Sequence, residues 1–133
     1  MTNPLSAEKT LGRALLFGAG GWAVENALFG PRNSALWGKA RMPILPVYAI
    51  GGTLVSELAP RLQERAWPWY ARATAYGAVL SGIEYAGCLT DRRVLGACSW
   101  DYTGQRCKKP TQGCVNFEHA LLWGMLGLLV EKL

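Results

Sequence analysis

Glu25, Glu57 and Glu84 each lie inside a stretch of mostly apolar residues. A carboxylate in hydrocarbon is costly, so it faces a partner, a cavity or a proton path. Two carboxylates sharing a site of low dielectric cannot both ionise cheaply, and such a pair holds a proton or a cation. The same groups also serve structure, by hydrogen-bonding between helices or by pairing with arginine. Tyr48, Arg92, Glu118, His119 and the triplet Trp100-Asp101-Tyr102 supply further polar groups that the chain pattern brings to the same level as Glu25 and Glu84.

Other chemistries are poorly supported by the spacing. His119 is the only histidine, and a lone histidine is more often a hydrogen-bonded structural residue than a base or ligand. Glu118 falls in the first turn of a helix, where the helix dipole favours a carboxylate. Cys88, Cys98, Cys107 and Cys114 contain no CxxC pair, so no metal site and no cofactor is assigned. A disulfide among Cys98, Cys107 and Cys114 requires their loop to face an oxidising compartment. No Walker motif or other phosphate-cradling glycine loop is present, and no residue is assigned a catalytic role.

These groups need helices to position them. The 133 residues suffice for one domain, with 50% hydrophobic and 17% charged residues and a mean hydropathy of only +0.09. The low mean has a local cause: charges concentrate in the connections, and the apolar stretches lack a wide polar stripe. Four stretches of about 17–23 residues approach the length needed to cross about 30 Å of hydrocarbon. They run over residues 11–30, 43–59, 67–89 and 116–133, and residues 1–10 are expected to fray. The pattern predicts an all-α fold, an integral membrane bundle of four transmembrane helices with a long loop between helices three and four. Lys9 and Arg13 before the first apolar run resemble a leader, but the run continues to Glu25 and Asn26 and reads as a retained first helix. Pro43 and Pro46 fit a first helical turn, Pro60 is expected to end span two, and Asn116 to cap span four.

Within span three, Ala73, Gly77 and Ser81 recur every four residues, as do Ala78, Gly82 and Ala86. Small residues at that spacing let helix backbones approach, and Gly124 and Gly127 offer a matching notch on span four. With antiparallel spans, Glu25 and Glu84 each sit about 7–8 Å below one surface, and Glu57 lies near the other with Arg61 as its i,i+4 partner. The net charge of +5 and pI of about 9.2 come from basic residues flanking the apolar stretches, which is membrane-edge patterning and not a nucleic-acid footprint. Eight of the 14 basic residues lie in loops one and three. The expected location is the cytoplasmic (inner) membrane of a bacterium, and the basic excess puts those loops on the cytoplasmic side.

Several segments in order carry a family likeness. They are Gly21-Trp22 with Glu25; Pro43-Ile44-Leu45-Pro46-Val47-Tyr48 with Gly51; Gly82-Ile83-Glu84-Tyr85 with Gly87; Trp100-Asp101-Tyr102; and Leu121-Leu122-Trp123-Gly124-Met125-Leu126-Gly127. Over about residues 20–128 the chain resembles the CmpB-like ABC-transporter permease family of small multi-span membrane proteins. The resemblance implies a helical membrane protein and carries over Glu25, Pro46, Tyr48, Glu84, Tyr85, Trp100, Asp101, Tyr102, Trp123 and Gly124. Before span four, members have a Gly-Arg-Ile-Cys-like stretch where this chain has Gly113-Cys114-Val115-Asn116, so no anion-binding arginine is carried over. The expected function is a transport-related, permease-like subunit with an intramembrane carboxylate site. Its expected partners are membrane lipids and either further copies of itself or a partner membrane subunit. A membrane scaffold binding partner helices, and a membrane-embedded enzyme acting on a lipid or isoprenoid, are the alternatives. In the enzyme reading Glu84 or Asp101 is the base and Arg92 with Arg93 holds an anionic headgroup.

Overall fold

The computed structural model describes residues 4–29, 45–96, 98, 114–115 and 117–132. Among them the fold is all-α, with helices α1 (Pro4–Phe29), α2 (Leu45–Glu64), α3 (Trp69–Leu95) and α4 (Phe117–Val130). α1 begins seven residues before the expected start, with a proline in its first turn, where the missing N–H costs no bond. It ends before Gly30-Pro31, since a proline disfavours helix in the residue ahead of it. Asn116, the expected cap of α4, lies outside the described residues.

Pro60 does not end α2, contrary to the sequence reading. The helix continues to Glu64 with Pro60 inside it, although an interior proline costs about 3 kcal/mol. Burial offsets that cost. Ala59 and Leu62, on either side of Pro60, join Val55 and Tyr76 in a buried apolar cluster. The chain then reverses at Ala66, whose φ of 54° is left-handed. Ala66 N donates to Gln63 O at 2.9 Å and Trp67 N to Leu62 O at 3.1 Å, the pairing of a Schellman stop. Pro68 then caps α3. At its other end α3 runs through Arg92 and Arg93 to a left-handed Gly96 (φ 78°). Asp91, Arg92 and Arg93 are thus helical, where a loop from residue 90 is expected, and the two arginines complement the negative end of the helix dipole.

No described helix is long and apolar enough to cross a membrane. Charges and glycines dilute α1, which holds Glu8, Lys9, Arg13 and Glu25, and α3, which holds Arg72, Glu84, Asp91, Arg92 and Arg93. α4 is apolar beyond its first turn but has only 14 residues, about 21 Å of helix. The transmembrane helices expected from the sequence are therefore not found among the described residues.

The bundle consists of two helix pairs. α1 packs on α2 and α3 on α4, and α2 joins the pairs through α3 and, less, through α4. The α3–α4 seam uses the small residues foreseen for it. A Cβ added to Gly77 would lie 2.6 Å from Ala120 O, and one added to Gly124 would lie 2.5 Å from Ala73 O. Gly127 faces the Tyr76 ring. At the end of this seam Arg72 grips Glu131 with two nitrogens, Nε to Oε2 at 3.1 Å and Nη2 to Oε1 at 2.9 Å, and Tyr76 Oη donates to Oε2 at 2.6 Å. Such bidentate geometry is the stronger form of ion pair. On the α1–α2 seam Gly18 meets Ala49 and Gly52 meets Phe17. Glu57 pairs there with Arg13 at 2.6 Å and not with Arg61. Both partners are about half exposed, which limits that bridge to about 0–1 kcal/mol.

The second small-residue row behaves differently. Ala78, Gly82 and Ala86 are exposed, and nothing lies within 4 Å of a Cβ added to Gly82. Gly124→Ala is expected to force α3 and α4 apart and cost about 1–3 kcal/mol. Gly82→Ala should instead stabilise by about 0.5–1 kcal/mol, since it only removes a helical glycine. Thermal unfolding of the two variants side by side checks both signs.

Candidate functional site

Glu84 is the centre of the site. Its helical position puts it on the same face of α3 as Gly77 and Ser81 on one side and Cys88 and Asp91 on the other. That face turns inward: Glu84 is 2% exposed, Cys88 0% and Asp91 9%. The carboxylate reaches across the α3–α4 seam. Trp123 Nε1 on α4 donates to Glu84 Oε2 at 3.3 Å, the long end of the usual range.

Trp123 organises the neighbouring groups. Tyr48 of α2 packs edge-on against it, with ring centroids 5.4 Å apart at 73°. His119, one turn earlier on α4, is tilted against it at 6.4 Å. Both contacts suit aromatic rings, which prefer edge or offset approaches. Ser81 Oγ, one turn before Glu84, is buried and has no hydrogen-bond partner among the described residues. One turn beyond Glu84, Cys88 and Cys114 are buried together, and Trp22, Val47, Tyr48, Cys98 and Val115 pack against them. The arrangement joins one carboxylate, a tyrosine, a histidine and an indole donor to a sulfur-lined base. No group of three or more His, Cys, Asp or Glu able to hold a metal occurs among the described residues.

The predicted residues divide into those brought together and those kept apart. Tyr48, Glu84 and His119 converge on Trp123. Tyr85, adjacent to Glu84, points to the outside at 37% exposure, because consecutive residues on a helix differ by about 100° in direction. Glu118 is exposed in the first turn of α4. Arg92 is half-buried in the last turn of α3. Glu25 lies on α1, and its side chain, with Trp100, Asp101 and Tyr102, lies outside the described residues. Cys88 was not foreseen as part of the site, although its spacing of four from Glu84 and three from Asp91 marks one helical face.

A family model described as "Putative ABC-transporter type IV" (ABC_trans_CmpB) matches residues 15–133. The chain belongs to this family. The match covers nearly the whole chain and includes every candidate residue from Glu25 to His119. Comparison with curated proteins and with solved structures gives no match.

Trp123→Phe keeps the ring packing and removes the one indole donor to Glu84. It is expected to lower stability by about 1–3 kcal/mol, the cost of withdrawing a partner from a buried acceptor. In a double-mutant cycle with Glu84→Gln, followed by thermal unfolding, the two changes should couple by about 0.5–3 kcal/mol. Strict additivity would mean that the indole and the carboxylate do not interact.

Proposed function

We propose that this chain is a transport-related subunit of a membrane assembly, with an intramembrane cation or proton site centred on Glu84. One observation carries the reading: in a member of an ABC-transporter family, a carboxylate that is almost fully buried sits on a helix seam among polar aromatic groups. The outer surface supports it. Leu15, Leu16, Ile50, Leu54, Leu121 and Met125 are all exposed, and broad apolar exposure marks a membrane or protein contact. Apolar side chains thus cover much of the outside, while the charged Glu84 and Asp91 are buried within.

Glu25 is the proposed second carboxylate. Trp22, one turn earlier on α1, packs against the sulfur cluster beneath Glu84, which supports bringing that end of α1 to the site. Arg92, Trp100, Asp101 and Tyr102 are proposed as further binding residues of this site. The lipids of the inner membrane and either further copies or a partner membrane subunit complete the assembly, as four short helices are little for a whole transporter. A scaffold role is the second reading, favoured by the exposed Ala78–Gly82–Ala86 row with open space over Gly82.

The test is cation- or proton-dependent flux in proteoliposomes holding the purified assembly. Glu84→Gln should abolish the flux, and Glu57→Gln, at the exposed bridge to Arg13, should retain most of it. Flux that survives Glu84→Gln removes the site, and flux absent from the unmodified assembly favours the scaffold.

A further inference from the structure

The three cysteines beneath Glu84 have a geometry that a simple structural disulfide does not need. Cys88 lies on α3, Cys98 lies two residues beyond the left-handed Gly96 that ends it, and Cys114 precedes α4. The Cα atoms of Cys88 and Cys98 are 4.9 Å apart, and those of Cys88 and Cys114 are 5.5 Å apart. Both separations fall in the range of about 4.4–6.8 Å that a disulfide spans. By these separations Cys88 can pair with either partner. A sulfur in a disulfide has one sulfur partner, so the two bonds are alternatives. Cys88 and Cys114 are fully buried and Cys98 is partly exposed, so an outside reagent meets Cys98 first.

We propose that Cys88 is the central sulfur of a three-cysteine thiol–disulfide exchange site, which alternates between Cys98 and Cys114. In the exchange, the Cys98 thiolate attacks Cys88 Sγ of the Cys88–Cys114 disulfide. The new Cys88–Cys98 bond forms as the Cys88–Cys114 bond breaks, and Cys114 leaves as the thiolate. Cys98 gives up a proton and Cys114 takes one up, with no net oxidation. The first disulfide forms from two thiols by exchange with a disulfide-bearing donor, which accepts the two electrons and two protons and leaves as its dithiol.

The two states tie different parts of the bundle. The Cys88–Cys98 bond closes a sequence separation of only 10 and clips the end of α3 to its own exit. The Cys88–Cys114 bond closes a separation of 26 and ties α3 to the start of α4, beside Glu84 and His119. The exchange thus adds or removes a covalent link across the seam that holds Trp123 against Glu84. It stands on the cysteine geometry alone and does not depend on the transport reading.

The test treats native membranes holding the full chain with glutathione disulfide, blocks free thiols by alkylation, and maps linked peptides by mass spectrometry without reduction. The unmodified chain should yield both linkages, Cys88–Cys98 and Cys88–Cys114. Cys98→Ser should convert the population to Cys88–Cys114, Cys114→Ser should convert it to Cys88–Cys98, and Cys88→Ser should lose both. A single linkage in the unmodified chain, a linkage of Cys98 to Cys114 or of either to Cys107, or complete alkylation of all three thiols would each overturn the proposal. The unmodified chain alone decides the matter if a variant fails to fold.

Discussion

The backbone-to-backbone crossing of α3 and α4 is the constraint from which the rest of the bundle follows. At Gly77 and Gly124 each helix faces a carbonyl oxygen of the other, with no room for a Cβ between them. Close approach of this kind is how helices associate where water supplies no hydrophobic drive. It also sets what the flanking side chains can reach. Toward one end it brings Trp123 over Glu84, and toward the other it brings Glu131 into the grip of Arg72 and Tyr76. The two polar clusters are separated along α3 by 12 positions, or about 18 Å of helix, with the glycine seam between them.

The two clusters differ in how they answer the cost of burying charge. Glu131 receives a bidentate arginine and a phenol, so its charge is matched and its oxygens are occupied. That pair does structural work, pinning the start of α3 to the end of α4. Glu84 is held across the seam by a neutral indole at the long end of hydrogen-bond range. Both carboxylates are buried at the α3–α4 seam, each held by a donor from the opposite helix.

The sequence makes the four helices, their order and the α3–α4 notch legible, because glycine spacing and apolar run length are local properties. It also marks Glu84, since a carboxylate amid apolar residues is visible without coordinates. Pro60 misleads because its local cost is outweighed by the burial of Ala59 and Leu62, a tertiary effect. The partner of Glu57 is misread for a similar reason: Arg61 is near in sequence, but Arg13 is near in space once α1 lies on α2. The end of α3 is misjudged because Asp91, Arg92 and Arg93 look like a polar loop when read in line. On a helix their directions diverge, and only Asp91 is turned inward. The cysteine cluster depends on the chain folding back after Gly96, which no spacing rule along the sequence reveals.

On the membrane reading proposed above, the brevity of α4 has a consequence for the surrounding lipid. Its roughly 21 Å of helix falls about 9 Å short of a typical hydrocarbon core. A short apolar rod of this kind is accommodated by a locally thinned bilayer, by flanking residues that snorkel, or by neighbouring proteins that shield it, each at a modest cost per ångström of mismatch. Phe117 at one end and Lys132 at the other are both exposed, the placement expected of groups that reach for an interface. On that same membrane reading, hydrophobic mismatch becomes a sorting force that favours a thin bilayer or one already dimpled by a companion.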